Sequence, residues 1–417
     1  MSSIAVTCGL IILVLLVIML LAGVPIAVAL AVSSIAAILP VLNTGAAVLT
    51  GAQRIFSGIS VFSLLAIPFF ILAGNLMNKG GIAIRLINFA KLFTGRIPGA
   101  LAHTNAVANM LFGAISGSGT AAASAMGSII GPIEEEEGYD RDFSAAANIA
   151  TAPTGLLIPP SNVMITYSLV SGGTSVAALF MAGYIPGILM GVGSMVVAFI
   201  YAKKHKYPTS GKTPMKEALK VTLEAIPSLL LIIIVIGGIV AGIFTATEGA
   251  GICVLYCLIL SVCYRSITVK SFMKILVSSA CTSGIILFLI SASSAMSFVM
   301  AYSGIPAAIS NGIMSISTNK YVIFFLMNVI LMVVGMFMDI TPAILIFTPI
   351  FLPIAQSLGM SDIQFGVMLI FNMCLGNITP PVGSVLFVGC GISKISIEVR
   401  YQEPCFRYFA VLVPFFF

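Results

Sequence analysis

The chain alternates long apolar runs with short polar connections. The apolar runs that predict membrane-crossing helices cover residues 4–22, 56–77, 176–202, 225–243, 250–264 and 275–300. Residues 41–54 and the stretch leading up to Lys320 are more polar, and they predict connections. Basic side chains without an acid among them are spaced along 79–96, which predicts an amphipathic helix in the membrane interface or, alternatively, a charged loop.

One stretch combines apolar residues with glycine, serine and proline. Over 98–133, two apolar arms flank the tip 116–120 (SGSGT), and each arm has about 14 to 17 residues, fewer than the roughly 20 that a crossing helix needs. This pattern predicts a helical hairpin that enters the membrane and leaves on the same side. The helix predicted over 143–170 must break at Pro159 and Pro160, because the two prolines remove backbone donors and exclude the preceding turn. Irregular backbone at membrane depth lies inside protein or beside a watery cavity, so the stretch predicts a functional site.

The same pattern occurs a second time. Adding 221 to the numbering carries Thr120 onto Thr341, Pro132 onto Pro353, Gly155 onto Gly376, Pro159 onto Pro380 and Pro160 onto Pro381. The second copy predicts a hairpin over 321–358 and a broken helix over 363–391. Interrupted segments at corresponding positions of two halves indicate the binding site of a secondary transporter.

Composition sets the class of protein. With 59% hydrophobic and 8% charged residues, the chain is too poor in charge for a soluble protein of this length, and we predict an all-α polytopic membrane protein. The net charge of +6 comes from basic residues in loops beside the membrane segments, so it does not indicate nucleic-acid binding. The run 4–22 predicts a retained helix rather than a signal peptide. The sequence contains no ATP-binding P-loop motif, so an ion gradient is the expected driving force.

The distribution of lysines predicts the orientation. Six lysines between Lys203 and Lys220 form the most polar connection and divide the chain into halves. The positive-inside rule places 203–220 in the cytoplasm, so the first hairpin enters from the cytoplasmic side and the second from outside, as inverted repeats. The predicted organisation is first scaffold helices 1–97, first transport repeat 98–202, basic linker 203–220, second scaffold helices 221–320, second transport repeat 321–395 and C-terminal segment 396–417.

Asp339 is an acidic residue at the start of the second hairpin tip. A carboxylate at membrane depth costs at least about 3 kcal/mol unless it is paired or solvated, which makes Asp339 a candidate ion ligand. The alternative is N-capping of the arm that begins near Pro342, and the two roles can coexist. The counterpart of Asp339 in the first repeat is Ser118, to which the same alternative applies.

The helix breaks carry chemistry of their own. An interrupted helix frees backbone carbonyls at one end and N–H groups at the other. Carbonyls supplemented by Ser, Thr and Asn oxygens suit Na⁺, whereas the freed N–H groups suit a carboxylate; a kink without a binding role is the alternative. Residues of this kind at the two breaks are Gly155, Asn162, Gly376, Asn377 and Thr379. No Lys or Arg lies in either hairpin–break unit away from its turns, so helix ends, hydroxyls and amides would hold an anionic substrate.

The chain resembles the large membrane subunit of tripartite ATP-independent periplasmic (TRAP) transporters over residues 20–395. The motifs that carry the resemblance are GVPIAVAL, SGSGTAAASAMGSI, LLIPPSN, GIFTATEGAG, DITPAILIFTPIFLPI and GNITPPVGSVLFVG. The resemblance implies an elevator-type, Na⁺-coupled importer of organic acids in the bacterial inner membrane. It implies two partners, a small four-helix membrane subunit and a periplasmic substrate-binding protein. The last membrane helix that the family pattern leads us to expect is truncated or altered in 396–417.

The resemblance also implies where two or more Na⁺ ions and the substrate bind. One Na⁺ site lies between the first tip and the first break, and its candidates are Ser118, Thr120, Thr154, Gly155, Pro159 and Asn162. A second lies between the second tip and the second break, with candidates Asp339, Thr341, Gly376, Asn377 and Thr379. The organic acid would bind between the tips, with candidates Ser116, Ser118, Ser161, Asn162, Thr166, Asp339, Thr379 and Ser384.

Other functions remain open at this point. The absence of a cationic side chain favours a hydroxyl-rich monocarboxylate such as sialic acid, with a C4-dicarboxylate as the alternative. A Na⁺/dicarboxylate carrier of related architecture that needs no binding protein is a second reading. The element Gly117-Ser118-Gly119 also resembles that of an intramembrane serine protease, but such an enzyme needs a histidine at the same depth, and His103 is the single candidate. We therefore predict a transporter rather than an enzyme.

Overall fold

The computed structural model describes residues 3–209, 211, 214–316, 319–380 and 383–395. These residues are almost entirely helical and contain no strand. Eight helical segments among them are long and apolar enough to cross a membrane, so the prediction of an all-α polytopic membrane protein is confirmed. The altered C-terminal segment predicted over 396–417 lies outside the described residues.

The first half of the chain runs from α1 to α11. Its helices are α1 (Ser3–Leu21), α2 (Ile26–Ile38), α3 (Thr44–Ile59), a 3₁₀ turn (Phe62–Leu65), α4 (Ala66–Lys79), α5 (Ile82–Thr94), α6 (Ala100–Ser116), α7 (Gly119–Glu136), α8 (Arg141–Thr151), α9 (Thr154–Leu157), α10 (Asn162–Val170) and α11 (Val176–His205). The predicted hairpin over 98–133 falls on α6 and α7, and the predicted broken helix falls on α8, α9 and α10.

The second half repeats this order of elements. Its helices are α12 (Met215–Val240), α13 (Ala246–Cys263), α14 (Val269–Ser303), α15 (Ile305–Ile316), α16 (Lys320–Phe337), α17 (Ile340–Ser357), α18 (Asp362–Gly376) and α19 (Ser384–Ser393). The second predicted hairpin falls on α16 and α17, and the second broken helix falls on α18 and α19.

Three local predictions were wrong. Residues 41–54 are not a connection but contain most of α3, which Asn43 caps by accepting a hydrogen bond from Ala46 N at 2.8 Å. The run 56–77 begins too early: α3 continues to Ile59, and the predicted crossing is formed by the 3₁₀ turn and α4 over Phe62–Lys79, which is long and apolar enough to span. The polar stretch before Lys320 contains α15. In two of these regions small and polar residues conceal a helix, since Gly, Ser and Thr lower the apparent hydrophobicity without preventing helix formation.

The basic segment 79–96 forms a helix, as its periodicity predicts. Helix α5 buries Ile82, Leu86 and Ala90 on one face, which packs against α12 and α6, and its basic side chains lie outside that face.

Part of the motif GIFTATEGAG forms the start of α13. Thr245 and Glu248 form a capping box at the start of α13, in which Glu248 Oε2 accepts from Thr245 N at 2.8 Å.

The helices form two groups, and each group is described by the helix pairs that pack within it. Helix α14 packs against α2, α3 and α4, and α4 also packs against α13, which together form a scaffold. In the other group, the second part of each broken helix packs on the second arm of the opposite hairpin: α19 on α7, and α10 on α17. We call this second group, with α6 to α10 and α16 to α19, the tip unit.

The two halves of the tip unit meet at equivalent positions. The Cys374 thiol donates to the carbonyl of Pro153 at 3.6 Å, and these positions are related by the 221-residue shift. Residues at equivalent positions of two repeats are expected to contact each other where they lie beside the pseudo-twofold axis that relates the repeats. Nearby, the Tyr167 hydroxyl donates to the carbonyl of Asp362 at 2.6 Å, and Gly366 leaves room for the Tyr167 ring.

Candidate functional site

The first tip is built by a glycine and a serine cap. Helix α6 ends at Gly117, whose φ of +60° lies in the left-handed region that favours glycine. Ser118 then caps α7, with its Oγ accepting from Ala121 N at 3.3 Å and lying 3.1 Å from Thr120 Oγ1. Two hydroxyl oxygens therefore lie together at the tip.

The first helix break lies against this tip. The break covers 158–161, and Ser161 restarts the helix: its Oγ donates to the Leu156 carbonyl at 2.6 Å and accepts from Met164 N at 3.4 Å. A Cβ added at Gly117 would lie 2.8 Å from Asn162 Nδ2. Asn162 Oδ1 is buried and has no hydrogen-bond partner among the described residues. Buried carbonyl oxygens normally have a partner, so this atom is free to accept from a water molecule or to ligate a cation.

The second tip uses a carboxylate in place of a hydroxyl. Asp339 occupies the N-cap position of α17, but its side chain makes no capping hydrogen bond. Its Oδ1 instead accepts from Asn377 Nδ2 at 3.2 Å and from Ser384 Oγ at 3.0 Å, so the tip is joined to the second break. Asn377 Oδ1 is buried and lacks a partner in the described part of the chain.

Glycines bring each hairpin against its break. A Cβ added at Gly113 would lie 2.6 Å from the Cα of Gly155, and one added at Gly376 would lie 2.5 Å from the Cα of Gly335. Real Cβ atoms do not approach backbone so closely. Both crossings therefore require the absence of a side chain, and the candidates Gly155 and Gly376 set the distance between hairpin and break.

A cavity of about 510 Å³ lies between the two tips. The predicted residues that line it are Ser116, Ser118, Thr120, Asn162, Asp339, Thr341 and Asn377. Apolar residues of α9, α10 and α19 and residues of scaffold helices α4 and α14 complete its wall. The structure thus brings candidates of both predicted Na⁺ sites and of the substrate site to one cavity.

The other predicted residues lie behind this lining. Thr154, Thr166 and Thr379 each donate their hydroxyl to a backbone carbonyl at 2.6 to 2.9 Å, and the first two are buried. Ser161 is buried at the helix restart, and Ser384 contacts Asp339. Pro159 lies in the break itself. Hydroxyls that donate to carbonyls keep lone pairs for a ligand. Thr154 and Thr379 therefore remain predicted Na⁺ ligands, and Ser161, Thr166 and Ser384 remain predicted substrate ligands.

Sequence reasoning missed the scaffold side of the cavity. Asn75 on α4 and Ser278 and Thr282 on α14 line it. Asn75 Nδ2 donates to Ser279 Oγ at 2.8 Å, which joins the two helices. A polar residue within the apolar run 56–77 is the signal that could have identified Asn75.

The donor set fits Na⁺ and a carboxylate. None of the described residues that line the cavity is Lys, Arg or His. Oxygens from Asn162, Asn377 and Asp339 suit a hard monovalent cation, and the described residues contain no cluster of three His, Cys, Asp or Glu side chains for a transition metal. The first turns of α7 and α17 leave backbone N–H groups without helical partners, and both begin at the cavity.

His103 does not complete a protease site. It lies in the first turn of α6, whereas Ser118 follows the last, so the two are separated by about 20 Å along the helix. His103 is buried, and neither ring nitrogen has a hydrogen-bond partner among the described residues. No serine–histidine pair forms.

Paired interrupted helices around a central cavity in an all-α membrane protein define the architecture of a secondary transporter. A family model described as "Tripartite ATP-independent periplasmic transporter, DctM component" matches residues 13–417. The chain belongs to this family, as its motifs predict, and is a multi-pass inner-membrane transport protein rather than an enzyme.

Relatives of known name differ in substrate. The chain is 53% identical to the uncharacterized protein YgiK of Salmonella typhimurium, covering 95% of this chain and 91% of the relative. It is 36% identical to the C4-dicarboxylate TRAP transporter large permease protein DctM of Rhodobacter capsulatus (92% and 90% covered). It is 35% identical to the sialic acid TRAP transporter large permease protein SiaM of Vibrio cholerae (95% and 92% covered).

Similarity of fold extends further than similarity of sequence. The crystal structure of the Alcanivorax borkumensis YdaH transporter matches with a TM-score of 0.57 over 90% of this chain and 86% of that one, at 16% identity. At this identity the match concerns the fold alone.

Proposed function

We propose that this chain is the large membrane subunit of a Na⁺-coupled importer of an organic acid. The observation that carries the proposal is a pair of buried oxygens, Asn162 Oδ1 and Asn377 Oδ1, which lie one at each helix break beside the same cavity and have no hydrogen-bond partner among the described residues. Each unpartnered oxygen costs about 1–3 kcal/mol in the absence of a ligand, and a bound Na⁺ removes that cost. Asp339 supplies a negative charge at the second site.

The coupling follows from charge neutralisation. An organic anion between the tips is held by the N–H groups that begin α7 and α17, and Na⁺ at each break compensates its charge. The ions therefore bind before or with the anion. Two Na⁺ with one monoanion carry one net charge, which adds about 2.3 kcal/mol per 100 mV to the driving force.

The movement that we propose is an elevator. The cavity lies where the tip unit faces scaffold helices α4 and α14. Sliding of the tip unit along these helices would expose the cavity to one side of the membrane and then to the other. A small four-helix membrane subunit would support the scaffold, and a periplasmic substrate-binding protein would deliver the substrate, in keeping with the tripartite family.

Sialic acid is the substrate that we favour, with a C4-dicarboxylate as the alternative. The second carboxylate of a dicarboxylate substrate would need a positive charge to pair with it when it leaves water. No Lys, Arg or His side chain lines the described cavity. Neutral hydroxyls and amides on both walls suit a polyhydroxylated monocarboxylate. Relatives named for each substrate are similarly close, so the preference rests on this chemistry.

Uptake into proteoliposomes tests the proposal. The chain and its small partner would be reconstituted, and uptake of radiolabelled sialic acid measured with and without an inward Na⁺ gradient and the binding protein. Uptake that requires both is the expected result. Na⁺-dependent uptake without the binding protein would establish a standalone carrier instead. Uptake of a C4-dicarboxylate but not of sialic acid would overturn the substrate and retain the coupling.

A further inference from the structure

A second cavity, of about 350 Å³, lies at the opposite end of the first hairpin from its tip. We call it the basal cavity. It is lined by the end of α7, the start of α8 and the last residues of α19, so both repeats contribute to it. Along α7, Glu134 in this cavity is about 20 Å from Thr120 at the tip, which separates the basal cavity from both tip sites.

The basal cavity contains a carboxylate without a partner. Glu134 is completely buried, and neither of its carboxylate oxygens makes an ion pair or a hydrogen bond of normal length and angle among the described residues, although the Ser144 hydroxyl is near enough to lower the pKa of the carboxyl. Ser144, which is 6% exposed, also lines the cavity with an unpartnered Oγ. A buried carboxylate without a partner is strongly destabilising, so its retention in a packed site calls for a ligand.

The charged groups around Glu134 do not compensate it. Arg141 lines the cavity but forms an ion pair with the exposed Glu135. Lys394 lines the cavity from the end of α19, and its side chain is exposed and forms no ion pair with Glu134. Glu137 adds a further negative charge, and burial, chiefly, raises the pKa of Glu134 to about 8. The Ser144 hydroxyl lowers this pKa, and a bound cation would take the place of the proton that burial favours.

The surrounding oxygens indicate what kind of cation fits. Ser128 donates its hydroxyl to the Ala125 carbonyl at 3.0 Å and keeps its lone pairs for a ligand. Asn105 accepts from Asn109 at 2.7 Å and presents an unpartnered Nδ2, which suits a water molecule bound to the cation. One buried carboxylate with neutral oxygens and water matches a hard monovalent ion better than a divalent ion or a soft metal.

We propose that the basal cavity binds one hard monovalent cation, Na⁺ or K⁺, through Glu134 and Ser144. The ion bridges the end of α7 to the start of α8, at the base of the first hairpin. This cation binds at a different place from the two Na⁺ ions proposed at the tips. Na⁺ is one of its two candidates because the proposed function is a Na⁺-coupled transporter.

Equilibrium binding of ²²Na⁺, and of ⁸⁶Rb⁺ in place of K⁺, to the purified subunit complex at pH 8.5 tests the proposal. We expect Glu134→Gln to lose one bound cation per chain in at least one of the two assays. Ser144→Ala should still bind the cation, but with roughly tenfold weaker affinity, which is the usual effect of removing a group that supports a metal site. Glu136→Gln, an exposed neighbour in the same turn, is the matched control and should bind as the wild type does.

The outcomes separate this proposal from that of the tip sites. If Glu134→Gln binds as many of both ions as the wild type, the basal site does not exist and Glu134 carries a proton. If Asn377→Ala loses no cation while Glu134→Gln does, the tip assignment fails and the basal site stands. Because glutamine is isosteric and uncharged, Glu134→Gln should fold, and Ser144→Ala gives an independent test if it does not.

Discussion

The side-chain amide of Asn377 donates a hydrogen bond to Asp339 Oδ1 at 3.2 Å and joins the second hairpin tip to the second helix break. The contact uses the side-chain N–H group of Asn377, and the buried Oδ1 of Asn377 has no hydrogen-bond partner among the residues that the structure describes. Asp339 therefore both positions this oxygen and supplies the charge that a cation needs. Two elements distant in sequence are held together at the atoms predicted to bind Na⁺.

The first prediction concerns this pair. Asp339→Asn keeps an oxygen that can accept from Asn377 but removes the negative charge. The half-saturating Na⁺ concentration for uptake should rise at least about tenfold, equivalent to about 1.4 kcal/mol. Ser384→Ala removes one neutral donor to the same carboxylate and should change Na⁺ dependence less. Initial uptake rates at graded Na⁺ concentrations measure both, and an unchanged Na⁺ response in Asp339→Asn would contradict the second site.

A second prediction concerns the crossing of hairpin and break in the first repeat. Gly155→Ala forces a methyl group into the backbone of Gly113, so we expect destabilisation of about 1–3 kcal/mol and a lower Tm in detergent. Gly251→Ala is the matched control, because nothing lies within 4 Å of an added Cβ there. That helical position should be neutral or slightly stabilised. Equal Tm values for the two variants would show that the crossing is loosely packed.

The third prediction separates substrate binding from ion binding. Asn75 lines the cavity from α4, with its amide donating to Ser279. Asn75→Ala should raise the half-saturating substrate concentration about threefold to tenfold, as expected for one lost hydrogen bond, and leave the Na⁺ response unchanged. Ser279→Ala removes only the positioning contact and should have a smaller effect. A changed Na⁺ response with unchanged substrate affinity would place Asn75 at an ion site instead.

The fourth prediction concerns the charged turn outside the membrane. Tyr207 donates to Asp140 Oδ2 at 2.5 Å and packs on the Tyr139 ring at 4.6 Å. The Tyr207 hydroxyl also accepts from Asp140 N at 3.2 Å. Tyr207→Phe removes both hydrogen bonds and should lower stability by about 1–3 kcal/mol, at about 0.5–1.5 kcal/mol for each. Tyr321→Phe, at an exposed tyrosine, is the control and should leave the Tm unchanged.

The same pair should depend on pH in a defined direction. Burial, and then the neighbouring Asp140, raise the pKa of Tyr207 above its ordinary value of about 10. A raised pKa stabilises the folded protein fully below the unfolded pKa, and the contribution is lost as pH rises above it. The Tm difference between wild type and Tyr207→Phe should therefore be constant up to about pH 10 and shrink above. A difference that grows with pH would contradict the assignment.

Glycines and prolines made much of the site predictable from the sequence. The tip at 116–120 and the double proline at 159 and 160 impose a turn and a break whatever surrounds them, because φ and donor restrictions act locally. Their recurrence after 221 residues marked the second site. By contrast, α3 and α15 escaped detection because Gly, Ser, Thr and Asn lower their hydropathy without preventing helix formation.

The sequence by itself determined the membrane class, the two hairpin–break units and the residue types at each break, since these follow from local backbone chemistry and hydrophobic length. Tertiary structure decided which of those atoms meet. Asp339 contacts Asn377 and Ser384 rather than capping its own helix, Asn75 and Thr282 line the cavity from another part of the chain, and Glu134 is buried without an ion-pair partner among the described residues. Contacts between elements depend on packing across tens to hundreds of residues, and no local pattern encodes them.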